Sequence, residues 1–368
     1  MTDIAATGLP SATNRNETAR YAGTDPHRSV RYWLYAVAAI VAVMVLVGGA
    51  TRLTDSGLSI TEWKPVTGVI PPLSAEDWAV EKDKYRTTTE YQTQNKGMPM
   101  AEFKVIYWWE WGHRFLGRLV GLVAVIPLVY FWMRNRLPSW SKPRLLLLVA
   151  MGGLQGFIGW WMVKSGLVNR VDVSQIRLAV HLTMACIIFA YTIWLARSLV
   201  AHSSGRLFAS AWQGGALVIL LLVQVFMGGL VAGLDAGMAY NTWPDMNGAM
   251  VPDGLFAMTP WWLNFTDNAM MVQFMHRITA YLLLAAVIAH AVVMMRREPS
   301  SPHARRAMLL VGLVTLQAAL GIATLLMQVP MNWALAHQFG AVVILAVAVA
   351  HWHALKPRVA AGEIPALP

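Results

Sequence analysis

Charge is scarce in this chain. Of its 368 residues, 13% are Asp, Glu, Lys or Arg, against about 25% in soluble domains. With 57% of the residues hydrophobic, the composition indicates a polytopic membrane protein with no separate soluble domain. Cysteine is scarcer still, since Cys186 is the only one. It lies inside an apolar run, which excludes an intramolecular disulfide and a thiolate metal centre. The net charge of +10 does not point to nucleic acid. Lys and Arg are scattered in short segments between apolar runs, as topology signals are. No short signal-peptide core precedes the first apolar run. Asp3, Glu17 and Asp25 argue against an acid-poor transit peptide.

What is present is a series of apolar runs near the roughly 20-residue spanning length. They lie at about 32–51, 114–133, 145–163, 178–200, 211–233, 272–295, 307–328 and 333–354. The expected fold is all-α, with eight transmembrane helices between polar tails at 1–31 and 357–368. Basic residues cluster in alternate loops. Arg134, Arg136, Lys142 and Arg144 follow the second run, Arg197 and Arg206 the fourth, and Arg296, Arg297, Arg305 and Arg306 the sixth. The loop after the fifth run holds Asp235, Asp245, Asp253 and Asp267 with no Lys or Arg, and the loop after the seventh has no charge. By the positive-inside bias both termini are cytoplasmic.

The first four runs recur as the last four. Gly48-Gly49 reappears as Gly228-Gly229, and the same register carries Asp55 to Asp235, Gly57 to Gly237, Trp63 to Trp243, Gly68 to Gly248 and Pro72 to Pro252. After a deletion, His113-Arg114 corresponds to His276-Arg277, Leu154-Gln155 to Leu316-Gln317, and His181 to His337. Two tandem four-helix bundles are expected, 32–206 and 207–356, related by an axis along the membrane normal.

Four histidines then stand at the outer ends of the second, fourth, sixth and eighth spans: His113, His181, His276 and His337. Ionisable residues inside spans are costly and point to function. Within each bundle the pair comes from two helices at one depth, which suits the two axial positions of a haem iron. Glu110 lies on the helical face of His113. The second half has Gln273 at that place. A carboxylate can accept a proton in oxidative chemistry, or simply favour a helix N-terminus. Arg114 and Arg277 suit haem propionates or an interfacial anchor. Gly117, Gly121, Gly152, Gly153, Gly156 and Gly159 either permit close helix packing or clear room for a flat ring. His290, His351 and His353 have no repeat partner and read as packing residues. The methionines around Met227–Met275 lack the tight histidine motif of a copper site.

Two stretches carry a family resemblance. Val47-Gly48-Gly49-Ala50-Thr51-Arg52-Leu53-Thr54, with Ser56-Gly57-Leu58-Ser59-Ile60-Thr61-Glu62-Trp63-Lys64-Pro65, resembles the first-helix and loop signature of the haem A synthases. Glu110-Trp111-Gly112-His113-Arg114 through Gly117-Arg118 is similar to that family's second-helix motif. The resemblance runs from about residue 30 to 355, and the cysteine-free first loop is that of the proteobacterial and mitochondrial subgroup. It implies oxidation of the haem O ring methyl to the formyl group of haem A by successive hydroxylations. It further implies a resident haem b held by His276 and His337, and substrate haem O between His113 and His181, with Glu110 as the catalytic carboxylate. Its implied setting is the bacterial inner membrane, with membrane lipid, haem O synthase and cytochrome oxidase assembly proteins as partners. A homo-oligomer is left open. A dihaem b-type quinone oxidoreductase fits the histidine pairs as well, and a parallel repeat also suits a haem transporter.

The basic-loop pattern predicts that reporter fusions after Arg136, Arg206 and Arg297 read as cytoplasmic and those after Lys84 and Asp253 as external. A cytoplasmic reading at Asp253 would overturn this orientation.

Overall fold

The computed structural model describes residues 25–168, 170–200 and 208–356. The expected tails, apart from residues 25–31, and the junction at 206/207 lie outside the described residues. Eight helices are long and apolar enough to cross a bilayer. They are α1 Arg28–Leu53, α2 Met100–Met133, α3 Ser141–Gly166, α4 Gln175–Ser198, α5 Phe208–Gly233, α6 Ala269–Arg297, α7 Pro302–Leu326 and α8 Met331–Leu355. Among the described residues there is no strand, only an isolated bridge between Met246 and Ala249.

The largest departure from the hydropathy reading is α2. It begins at Met100 rather than near residue 114 and runs for 34 residues. At 1.5 Å per residue it is about 51 Å long, some 20 Å more than a hydrocarbon core of about 30 Å. Its first turns carry Glu102, Lys104 and Glu110, which mask them from a hydropathy window. Nothing there breaks a helix, because Pro99 precedes it as the N-cap. Glu110 and His113 therefore sit well inside a helix, not at its N-terminus. The first helix also starts slightly early, at Arg28 rather than 32.

The extension of α2 exists because the preceding loop packs on it. Ser74 and Asp77 form a reciprocal capping box that starts a helix over Ala75–Arg86, satisfying backbone donors at both positions. The Thr88 hydroxyl caps the short helix Thr89–Thr93 by accepting from the Tyr91 amide. Trp78, Tyr85, Tyr91 and Ile60 close over Phe103 and Tyr107 of α2 as one buried cluster. The loop between α1 and α2 is thus a small folded cap, a feature its mixed charge concealed.

In the first half α1 packs on α2 and α4, and α3 on α4; in the second, α5 packs on α6 and α8, and α7 on both α6 and α8. The halves meet where α4 lies on α5 and where α8 crosses α1 and α4. Glycine makes the first of these contacts close. A Cβ at Gly229 would lie 2.7 Å from Cα of Ala179, and one at Gly233 2.6 Å from Cα of Gln175. Backbones approach this closely only across small residues. At the second contact the Gln338 amide donates to the Val45 carbonyl at 2.9 Å. At the histidine end, Arg52 of α1 bonds Asp55 of its own half at 2.8 Å and Asp235 of the other at 2.6 Å.

Glu90 lies beneath the cap, 3% exposed. Burial pushes its carboxyl up to about 8, because the charged form is desolvated there. The folded chain then holds this proton more tightly than the unfolded chain. Stability from Glu90 is full below the ordinary carboxyl range and is lost as pH rises towards 8. We expect the purified protein to lose on the order of a few kcal/mol between about pH 5 and 8. Glu90→Gln should flatten that slope in thermal unfolding, and an unchanged slope would refute the assignment.

Candidate functional site

All four histidines gather at one end of the bundle, and each is placed in the same manner. The ring rests on a glycine of a neighbouring helix. A Cβ at Gly48 of α1 would lie 2.7 Å from Cε1 of His113 on α2, and one at Gly159 of α3 2.9 Å from Cε1 of His181 on α4. In the second half, Gly228 of α5 and His276 of α6 stand at 3.3 Å, and Gly321 of α7 and His337 of α8 at 2.7 Å. Each glycine is five to seven residues from its helix end, about 8–10 Å below the loop face. His113 and His181 lie within electrostatic range of one another, as do His276 and His337.

Three of the rings have a second neighbour that sequence reasoning missed. Gln155 Nε2 stands 3.2 Å from His181 Nδ1 and donates to the His181 carbonyl at 3.0 Å. Gln224 makes the same pair of contacts with His276 at 3.1 and 3.1 Å, and Gln317 with His337 at 3.1 and 2.6 Å. His113 has no such partner, and its Nδ1 is buried and unbonded. A glutamine one turn before a ring-bearing glycine, occurring three times, was the available signal.

Glu110 is buried, 3% exposed, and fully engaged. Its Oε2 accepts from the Ser59 hydroxyl at 2.8 Å and the Ile60 amide at 2.7 Å. Its Oε1 accepts from Arg114 Nε at 3.1 Å and Nη2 at 2.6 Å. Arg114 also donates to the carbonyls of Ile60 and Glu62, and Arg118 to those of Lys64 and Pro65. The second half repeats this with inverted polarity. Gln273 donates to the Ala236 and Ala239 carbonyls, and Arg277 to those of Tyr240 and Asp245 and to Gln273. Both arginine forks thus hold loops. The buried donors left over are Arg118 Nη1 and Arg277 Nε, and these remain for an anionic group.

The glycines of α3 divide in two. Gly159 seats His181, whereas a Cβ at Gly152, Gly153 or Gly156 would meet nothing within 4 Å. Gly153 and Gly156 instead line a cleft of about 280 Å³ with Trp63, Phe157 and Trp160. It continues past Arg114 and Lys164 as a second cleft of about 220 Å³. α2 and α3 touch less extensively than α6 and α7 do in the second half, and the two clefts lie beside α3 under the first loop. His290 and His351 pair at 2.8 Å at the opposite end, with Gln213 at 3.0 Å from His290, and His353 stands 3.1 Å from Ser198.

The donor set fits haem. Among the described residues no three His, Cys, Asp or Glu side chains could hold a bare metal ion. Each half offers two imidazoles, which suffice for iron whose other four positions belong to a macrocycle. The sequence matches the model of a family described as cytochrome oxidase assembly protein over residues 31–349. It is 55% identical over 359 residues to a protein of Chelativorans sp. (strain BNC1) named heme A synthase, covering 96% of this chain and 97% of that one. A heme A synthase of Brucella ovis is 53% identical over 350 residues, covering 95% and 96%. The chain belongs to the haem A synthase family. The two stretches that carry the resemblance, Ser56–Pro65 in the first loop and Glu110–Arg118 on α2, are bonded to one another through Glu110, Arg114 and Arg118.

This contact makes Glu110→Gln more than a loss of charge. The carboxylate accepts four hydrogen bonds, so an amide nitrogen would face a donor. We expect a cost of about 1–3 kcal/mol and faster protease cleavage within residues 54–66, measured against Gln273→Glu as the reciprocal exchange. Equal cleavage in Glu110→Gln and the parent would refute it.

Proposed function

We propose that this chain is a haem A synthase, an oxidoreductase that converts the ring methyl of haem O to the formyl group of haem A. The observation that carries the reading is the identity of more than half the residues, across almost the entire chain, with relatives named for that activity. The asymmetry of the halves supports it. The first half combines a histidine pair with the buried carboxylate of Glu110 beside a side cleft, and the second half has Gln273 in place of that carboxylate. A dihaem electron-transfer protein needs neither feature, and no observation favours a transporter.

In this reading His276 and His337 hold a resident haem b, and His113 and His181 hold substrate haem O. Iron between two imidazoles supplies the redox chemistry. The chain's own residues bind and orient. Arg118 Nη1 and Arg277 Nε are donors for propionates. Glu110 accepts from Ser59, the Ile60 amide and Arg114 and so ties the first loop over this half. A proton can reach Glu110 Oε2 once the Ser59 hydroxyl turns from it to the Ile106 carbonyl, 3.3 Å away, with the Ile60 amide still in place. The apolar cleft lined by Trp63, Phe157 and Trp160 suits the prenyl tail of the substrate. The setting is the bacterial inner membrane, with both termini cytoplasmic and the histidines in the outer leaflet.

Pigment extraction tests the reading. Cells whose copy carries His113→Ala or His181→Ala should lose haem A and accumulate haem O. The purified variants should keep the haem b of the second half. His276→Ala and His337→Ala should instead lower tightly bound haem b. A normal haem A content in all four strains would sink the proposal.

A further inference from the structure

The end of the bundle opposite the histidine site carries positive charge that no carboxylate answers. Arg197 stands in the last turn of α4, Arg306 near the start of α7, and Lys356 directly after α8. Arg306 and His353 each lie within electrostatic range of Arg197, and His353 also within range of Lys356. Lys356 is folded back, with Nζ 4.7 Å from the Trp194 ring and 5.1 Å from the Trp352 ring. The three cations therefore meet around the end of α8, where that helix crosses α4 of the first half.

Like charges held together cost energy unless an anion joins them. The neighbouring helices offer none. No Asp or Glu occurs between Asp172 and Asp235 or between Glu298 and Glu363, so α4, α5, α7 and α8 have no carboxylate of their own. Every ion pair among the described residues lies between Asp25 and Asp235, and none includes Arg197, Arg306 or Lys356. Arg197 Nε is buried without a partner. Arg306 bonds only Pro302 and His303 of its own helix.

We propose that this cluster binds the phosphate of an anionic phospholipid, held by Arg197, Arg306 and Lys356 across the junction of the two halves. Depth argues for a lipid over a soluble anion. The cations stand at the ends of spanning helices, at the level of the headgroups. Trp194 and Trp352 beside Lys356 are of the residue type that marks the membrane–water interface. Along the same side of α7, Leu309 and Leu316 are 50% and 58% exposed, an apolar track for an acyl chain. A guanidinium fork pairs with two phosphate oxygens at once, and basic pockets between transmembrane helices are where anionic headgroups bind. A cation at a helix C-terminus can also answer the helix dipole. Among the described residues, however, none of the three donates to a carbonyl at the end of α4 or α8. The inference uses helix ends and charge alone, and it stands apart from the haem reading.

Lipid binding tests it. Full-length protein in detergent is titrated with phosphatidylglycerol, phosphatidylcholine or inorganic phosphate. Native mass spectrometry reads the bound lipid, with thermal unfolding alongside. The parent should hold one phosphatidylglycerol about 10-fold or more tightly than phosphatidylcholine, and should melt later in its presence. Arg197→Gln and Arg306→Gln should each weaken that binding by about 10-fold, and Arg197→Lys should keep part of it. Arg134→Gln, in the basic loop after α2, should leave it unchanged. Equal melting of parent and variants in phosphatidylcholine reports that the variants are folded. Equal retention of the two lipids by the parent, or undiminished binding in both glutamine variants, would overturn the inference. Displacement of the lipid by millimolar inorganic phosphate would overturn it in favour of a soluble anion. Uptake of the lipid only after removal of residues 357–368 would overturn it in favour of Glu363 in the chain's own tail.

Discussion

An imidazole inside an apolar bundle has to be both seated and kept from wandering. Here the seat is a missing side chain. At Gly48, Gly159, Gly228 and Gly321 the ring lies so close to the neighbouring helix that a methyl group would overlap it or crowd it. The separation and rotation of each helix pair follow from that contact, because a ring trapped against a backbone cannot tolerate a turned or shifted helix. The polar edges of His181, His276 and His337 meet glutamine amides, while that of His113 has none. Closeness between the halves rests on the same device, at Gly229 and Gly233 against α4.

The loops at the histidine end are fastened from below. Arginines one residue beyond His113 and His276 reach up to loop carbonyls, and the residue three before each histidine completes the junction. The two stretches that carry the family resemblance are therefore the two sides of one interface. Much of their chemical character is structural: Glu110, Arg114 and Arg118 bind Ser59–Pro65 before they meet any ligand. In the first half this interface lies beside the cleft, so the loop that carries Trp63 both covers the first half and borders its side cleft.

Much of this was legible beforehand. Eight spans, the four histidines and the special standing of Glu110 follow from hydropathy and from spacing at helical intervals. The start of α2 did not, because a helix continues wherever its backbone bonds are undisturbed, while hydropathy reports only the stretch that meets lipid. The cap before α2 was hidden for a related reason: its charges face outward, and its aromatic cluster becomes visible only when Phe103 and Tyr107 are known to be helical. Gln155 and Gln317 were visible as repeat partners, yet their role was not. Depth and facing come from three-dimensional packing, and so does the knowledge that a glycine one turn away carries a ring. The arginines read as forks for propionates, and only the fold shows how many of their donors the loops have taken.

The two places where the halves differ around the rings share a property. Methionine at 44 stands where the other half has glutamine at 224, and glutamate at 110 where it has glutamine at 273. Each exchange alters hydrogen bonding or charge while keeping the length of the side chain and nearly its volume. A densely packed bundle penalises changes in volume far more evenly than changes in polarity at a site that has partners. Nearly equal-sized exchange therefore lets one half of the bundle differ in polarity from the other through single substitutions, without new helix positions.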